Sequence, residues 1–332
     1  MKWWVKSAVQ AALSQMPYGE ALNHRLQIWN GFYERFHWSV ENNVRHLCNL
    51  ASSIQKFGGR IEGCIAIEVG TGWTPTLPVG MHLLGAEIHT YDHMRHLRPA
   101  NLAKVIELYP EFLPQIEEAL GIKQAILQER LASLRKAGQE SVPDWLREVG
   151  IHYHAPGDAA DTGLPEESVD LYFSIAVLEH VSKASAERMI LEARRILKPG
   201  GLSYHHIGLH DHLAETDSAA TKINFLRFND FTWKILGQNR IQYHNRLRQS
   251  EFLSMFQEAG FEILSRESEV DEASLKALPT MALNKRYLTF DAEDLATYEF
   301  TVCVRKPDRS RLEQFPVRRP EISRKVRENN IG

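Results

Sequence analysis

Cysteine is scarce: Cys48, Cys64 and Cys303 are the only three in 332 residues, and no CxxC pair occurs. Such spacing argues against a disulfide framework and fits a reducing compartment. No apolar run is long enough to span a bilayer. The first residues carry Lys2 and Lys6 but lack the unbroken apolar stretch and small-residue cleavage site of a signal peptide. The expectation is therefore a cytoplasmic protein with no transmembrane segment. Charge of one sign is also missing, since the net charge is −3 and basic residues form no long tract before the tail at Arg305–Arg327. Nothing thus favours a nucleic acid partner. What remains is ordinary globular composition, 43% apolar and 24% charged, in a length that suits one large domain or a core with added segments.

Residues 1–60 read as helical, because Trp3, Trp4, Val5, Ala8, Val9, Ala12, Leu13 and Met16 recur at helical spacing before the stop Pro17-Tyr18-Gly19. This stripe is read as packing on the core, with peripheral membrane contact as the alternative that tryptophan and lysine permit. Beyond Gly58-Gly59 the pattern changes. Cys64–Val69 is a short apolar strand, Thr76–Leu84 a helix opening near Pro75 and Pro78, and Ile88–Asp92 a second strand. Residues 98–148 look wholly helical, with Leu102, Val105, Ile106 and Tyr109 on one face and Ile126, Leu131 and Leu134 on another. Ser141-Val142-Pro143-Asp144 opens a last short helix there. Further strands follow at Ile151–His154, Val169–Ile175, Leu202–Leu209, Phe261–Leu264 and Tyr298–Val304. Helices alternate with them, one halted by Leu197-Lys198-Pro199-Gly200-Gly201 and one running through Phe252, Leu253, Phe256 and Ala259. The pattern predicts an α/β fold with a mostly parallel sheet. Expected segments are a helical 1–60, a core at 61–306 with a helical insertion at 98–148 and a loop at 205–246, and a tail at 307–332.

Glu68-Val69-Gly70-Thr71-Gly72 joins a strand to a helix, and glycines there let backbone approach a ligand. Pro75 stands where a dinucleotide fingerprint wants a third glycine, and no Gly-Lys-Ser/Thr follows for a phosphate loop. The wider spacing resembles the class I S-adenosylmethionine-dependent methyltransferases, with a type 11-like methyltransferase domain. Glu68 to Gly72 is similar to that family's first motif. Asp92 matches its ribose-holding acid, and Gly157-Asp158-Ala159 its third-strand adenine motif. Ala176-Val177-Leu178-Glu179-His180-Val181 resembles its fourth motif, and Leu197 to Gly201 its post-helix turn. Singly, Asp92 and Asp158 read as turn residues and LKPGG as a helix stop. Jointly and in order, the resemblance implies a Rossmann-like seven-stranded sheet, S-adenosylmethionine as methyl donor and S-adenosylhomocysteine as product. It implies cofactor contacts at Glu68, Gly70, Thr71, Gly72, Asp92, Asp158, Ala159, Ile175 and Ala176.

The segment 205–246 follows the fifth strand, where a methyl acceptor would sit, and is rich in His205, His206, His210, Asp211, His212, Asn224, Arg227, Asn229, Asn245 and Arg246. Histidine titrates near neutrality and suits removal of a hydroxyl proton. His206, His212 and His180 are the candidate bases, with Asp211 as orienting carboxylate. Glu179-His180 resembles small-RNA 2′-O-methyltransferases and certain ubiquinone-pathway O-methyltransferases, which add a metal-ligating glutamate three residues earlier. Ala176 stands there, so no metal is assigned, and His205, His206, His210 or Asp211 would have to compensate. Leu13–Asn23 (LSQMPYGEALN) and Asn245-Arg246-Leu247-Arg248 look similar to uncharacterised methyltransferases of bacterial surface-polysaccharide clusters. The acceptor expected first is a sugar or glycan hydroxyl, or another small polar molecule. A strongly apolar 98–148 lid would favour N- or C-methylation of a natural product or lipid quinone instead, and a non-catalytic cofactor-binding scaffold is the remaining alternative. The same insertion offers a surface for a homodimer. The Asn/Asp-Pro-Pro-Tyr/Phe signature of nucleic acid amino-methylation is absent after Asp170-Leu171-Tyr172-Phe173.

Overall fold

The computed structural model describes residues 2–16, 35–136, 142–214, 217, 219–238 and 243–308. The expected stop at Pro17–Gly19, most of the Leu13–Asn23 stretch and the tail from residue 309 lie outside these. In chain order come α1 (Trp3–Gln15), α2 (Phe36–Lys56), β1 (Ile65–Val69), α3 (Thr76–Leu83) and β2 (Glu87–Tyr91). Four helices then follow: α4 (Pro99–Leu108), α5 (Leu113–Leu120), α6 (Gln124–Lys136) and α7 (Val142–Glu148). The chain continues through β3 (Ile151–His154), β4 (Val169–Ile175), α8 (Lys183–Ile196), β5 (Leu197–Gly208), α9 (Asp230–Gly237) and α10 (Gln249–Glu258). It ends with β6 (Glu262–Val270), α11 (Glu272–Ala277), α12 (Ala292–Ala296) and β7 (Thr297–Arg305).

The seven strands form one sheet in the order β3-β2-β1-β4-β5-β7-β6. Pairing is parallel from β3 through β5 and antiparallel on both sides of β7. Central strands such as β1 are nearly all buried because helices cover both faces, which is why they read as mostly apolar runs without alternation. On one face α2 and α3 lead a core containing Leu47, Leu50, Val79, Ile88 and Phe173. On the other, α8 and α10 pack Ile190, Ile196, Phe252 and Phe256 over Ile67, Tyr172 and Ile207. A third, smaller core of Leu213, Phe225, Trp233, Tyr287 and Leu295 sits beyond the strand ends, with Trp3 packed against it. The strand order reverses between β1 and β4, and ligands bind at the carboxyl ends beside such a reversal.

Four local expectations need correction. The apolar stripe of α6 is Leu127, Leu131 and Leu134, while Ile126 is exposed, so the helical register was off by one at its start. Only part of the α1 stripe is covered: Leu13 is buried and Trp3 packs on Phe228, whereas Trp4, Val9 and Met16 face solvent. Helix α8 does stop at Ile196, but the LKPGG run then opens β5 rather than merely turning. β6 extends to Val270, because an edge strand facing water tolerates the polar stretch Ser265–Glu269.

Candidate active site

The chain between β1 and α3 leaves the sheet through Gly70, whose φ is 87°, and Gly72, whose φ is 64°. Two cross-links fix this loop. Gly70 donates its N–H to the Tyr91 carbonyl at 2.8 Å, and Gly72 donates to Asp92 Oδ2 at 2.9 Å. Asp92, one residue past β2, also accepts from Met94 N–H at 3.2 Å and lies beside His93. These bonds and the neighbouring imidazoles hold its carboxyl below the usual carboxylate range against the opposing effect of burial. Asp92 N–H in turn donates to His154 O, and its carbonyl accepts from Gly157, so the ends of β2 and β3 are stapled together. Asp92, His93 and His96 bring three donor atoms within 4.8 Å of one another at this lip.

Glu68, at the base of the loop, is fully buried and accepts from the Thr90 hydroxyl, which in turn contacts the Thr71 hydroxyl. Burial pushes its carboxyl up to about 8; the Thr90 bond opposes this and the charge of Asp92 adds to it. Asp158 follows β3 in an exposed turn, accepting from Ala160 N–H at 2.9 Å and reaching Arg188 at 3.2 Å. Ala159 is buried behind it.

These residues line a cleft with two lobes. One, of about 400 Å³, is bounded by Tyr91, Asp92, Pro156, Gly157, Asp158, Ala159 and Met189. The other, of about 370 Å³, is bounded by Asn43, Glu68, Thr71, Gly72, Trp73, Ile175, Ala176 and His180. Gly70, Asp92, Val177 and Val181 border both. The cleft thus gathers Glu68, Gly70, Thr71, Gly72, Asp92, Asp158, Ala159, Ile175 and Ala176. Ala176 has φ 54°, a strained conformation for alanine and one that concentrates at functional sites. Sequence reasoning passed over Asn43, Trp73, Tyr91 and Met189, which nothing local marks until the chain folds, and it quoted Val177 and Val181 in a motif without assigning them to the site.

His180 stands exposed at the cleft, in a short turn after β4. Its Nδ1 lies 2.9 Å from the Tyr243 carbonyl, which can only accept, so Nδ1 carries a proton and Nε2 is the acceptor whenever the ring is neutral. A line of imidazoles leads away from it: His180 to His212 at 5.1 Å between ring centres, and His212 to His210 at 4.5 Å. His244 packs against both His180 and His212. His244 was not singled out from sequence, where nothing but its polar neighbourhood marks it. His210 and Asp211 border a second cavity of about 240 Å³ with Lys222 and Tyr298. Asp211 Oδ2 is buried with no hydrogen-bond partner among the described residues, and burial pushes the carboxyl up to about 6. Glu179 is buried too; it accepts from Gly208 N–H at 3.0 Å, and desolvation raises its pKa.

Other polar residues of 205–246 are placed differently from the expectation. His205 and His206 belong to β5, in keeping with the strand expected at Leu202–Leu209 and not with a loop beginning at residue 205. His205 is a satisfied core residue between Ser174 and Ser203, and burial drives its pKa down to about 3. His206 packs on His46 of α2 and bonds Thr301, apart from the His180 group. Asn245 donates to the carbonyls of Leu178 and Val181, holding the His180 turn. Arg246 bonds the carbonyls of Phe225 and Phe228 and the Asp230 carboxylate. Arg248 bonds the carbonyls of Leu209, Asp294 and Thr297. These side chains are buried and committed within the protein, so they are not available to recognise a carbohydrate, as their sequence had suggested.

Comparison with known proteins follows the same lines. The family described as a methyltransferase domain matches residues 125–204, which take in α7, β3, Asp158, β4, His180, α8 and most of β5. No curated protein matches. Among solved structures, a protein provisionally named a sarcosine dimethylglycine methyltransferase from Galdieria sulphuraria is 15% identical, with 81% of this chain and 88% of that one covered and a TM-score of 0.45. An S-adenosylmethionine-dependent methyltransferase from Mesorhizobium loti is 16% identical, with 76% and 95% covered and a TM-score of 0.39. Both are loose likenesses and carry no argument; what the comparisons show is that residues 125–204 match a methyltransferase domain.

Proposed function

We propose that this enzyme transfers the methyl group of S-adenosylmethionine to a hydroxyl of a sugar, a glycan or another small polar acceptor. Asp92 would accept both ribose hydroxyls, a task that suits a carboxylate with two acceptor oxygens. Asp158 and the Ala159 N–H would meet the adenine in the Tyr91–Met189 lobe, which leaves the methionine portion for the lobe of Glu68, Thr71 and Gly72. The sulfonium then points toward Ile175, Ala176 and His180.

The observation that carries the acceptor assignment is the tautomer of His180. With Nδ1–H engaged by the Tyr243 carbonyl, Nε2 of the neutral ring would be the atom that takes a proton from an acceptor in the cleft that His180 lines. The acceptor oxygen attacks the methyl carbon in line, the carbon–sulfur bond breaks, and S-adenosylhomocysteine leaves neutral at sulfur. The acceptor's proton passes to Nε2. Most of the acceleration comes from holding oxygen, carbon and sulfur in line. A polar acceptor body fits the second cavity, where His210, Asp211, Lys222 and Tyr298 offer donors and acceptors. Among the described residues, the apolar side chains of α4–α7 such as Leu102, Val105, Leu127 and Leu131 pack into the α2–α3 core; this favours the polar acceptor over a lipid quinone.

The test is S-adenosylhomocysteine release from S-adenosylmethionine with parallel panels of sugars, amines and hydroquinones. Turnover confined to sugars or other polar hydroxyl compounds supports the reading. Turnover confined to amines or hydroquinones overturns it while leaving the methyl donor in place.

A further inference from the structure

Behind the nucleoside lobe, the edge strand β3 and its neighbour β2 carry a group of side chains that methyl transfer does not use. His89 and His152 are directly opposite each other in the parallel register, with rings 4.4 Å apart between centres. Glu87, two residues before His89, points from the same face. Its Oε1 lies 3.1 Å from His152 Nε2 and 3.8 Å from His89 Nε2. One donor atom from each of the three falls within 4.8 Å of the others.

We propose that Glu87, His89 and His152 form a binding site for a divalent metal ion of the zinc class, clamping β3 to β2. Two imidazoles and a carboxylate are a donor set that zinc accepts, with a fourth position left for water or another ligand. Tetrahedral zinc with bonds of about 2.0 Å sets its donors about 3.3 Å apart, and the two measured separations bracket that value. A metal-bound histidine usually donates its other ring N–H to a fixed acceptor, which orients the ring. His89 has that arrangement: its Nδ1 lies 3.1 Å from His154 Nε2, and the tautomer donating from Nδ1 leaves the Nε2 lone pair toward Glu87.

The clamp would act on the cofactor site through contact. His154 stacks on Tyr91 at 4.4 Å, and Tyr91 lines the lobe that also holds Asp158. A metal ion at His89 would fix the His89–His154–Tyr91 stack and with it the spacing of β2 and β3 at their carboxyl ends.

The experiment is calorimetric titration of tag-free, metal-free protein with Zn²⁺ alone, repeated with Co²⁺ to read its visible absorption. Wild type should bind Zn²⁺ at micromolar or tighter affinity and give the intense visible bands of low-coordinate cobalt. His89→Ala/His152→Ala should weaken that site at least tenfold and lose the bands. His93→Ala/His96→Ala should keep both, separating this site from the group at the cleft. Should the double histidine variant fold poorly, exposed Glu87→Gln keeps both imidazoles and should still weaken Zn²⁺ tenfold. The proposal fails if wild type takes up no Zn²⁺, or if folded Glu87 and histidine variants bind as wild type does.

Discussion

Gly70 and Val177 approach so closely that a β-carbon on the glycine would lie 2.4 Å from the valine Cγ2. The loop after β1 and the turn after β4 thus meet backbone to side chain, and this contact forms the floor shared by both lobes of the cleft. Gly70→Ala would add a clash to a φ of 87°, which alanine adopts at a cost of about 1–3 kcal/mol. Expected are a lower urea midpoint and at least a tenfold loss of S-adenosylmethionine affinity by calorimetry. Gly72→Ala is the contrast. Its φ is also positive, yet no atom lies within 4 Å of the added carbon, so a smaller loss is expected. Equal losses at the two positions would show that the Val177 contact is not what matters.

Asp92→Ala should weaken S-adenosylmethionine binding tenfold or more, about 1.4 kcal/mol. Part of this loss comes through the loop, because the same carboxylate accepts from Gly72 N–H. Asp92→Asn separates the two roles: its single amide oxygen can still accept that N–H but cannot bind two ribose hydroxyls as a carboxylate does. Affinity for the asparagine variant should fall between wild type and alanine, with little change in melting temperature. No measurable binding of S-adenosylmethionine to the wild type would remove the basis of the cofactor assignment.

The parts of this molecule that could be read from sequence are those whose cause is local. β1 and β4 are short, mostly apolar strands because helices bury both faces, and the turn residues beside them are where backbone freedom is needed. Gly70, Gly72 and Asp92 lie at strand ends, so their position in the chain already implies their position in the cleft. The histidine group was only half legible. His180, the pair His210 and His212, and His244 come from three separate stretches, and only folding brings their rings into contact. His205 and His206 were misplaced for the converse reason. In polar surroundings they resemble loop residues, but β5 pairing buries His205 and turns His206 toward α2. Arg246 likewise reads as a ligand-binding cation, although the carbonyls of Phe225 and Phe228 and the Asp230 carboxylate engage it.

Glu68 gives a prediction in pH. Its folded-state pKa, about 8, is above the value of about 4.5 expected in the unfolded chain. Between these values the folded protein holds a proton that the unfolded chain has released. Stability of the cofactor-free enzyme therefore falls as pH rises from about 4.5 to about 8 and levels off above that. Glu68→Gln carries no ionisable group and should flatten this window, so that the variant gains relative to wild type toward pH 8. Urea unfolding at pH 5, 6.5 and 8 checks it. A wild-type stability curve that rises across the window, with Glu68→Gln parallel to it, would mean that the carboxyl is ionised in place.

His180 and His206 both qualify as bases by residue type, and the structure separates them. His180 faces the cleft from its turn with Nδ1 committed to the Tyr243 carbonyl, whereas His206 is half-buried between His46 and Thr301. Burial lowers the pKa of His206, and its ring packs on His46 rather than on His180. His180→Ala should lower kcat about 10²- to 10⁴-fold, the usual contribution of a general base, with S-adenosylmethionine affinity nearly unchanged. His206→Ala should leave kcat within a few-fold of wild type and act mainly on stability, because it empties a packed site beside His46. Steady-state kinetics with any active acceptor, read beside binding of the methyl donor, decides between them. If His206→Ala is the variant that loses turnover, the acceptor approaches from the α2 side of the sheet, and the proton must leave along His206 rather than His180.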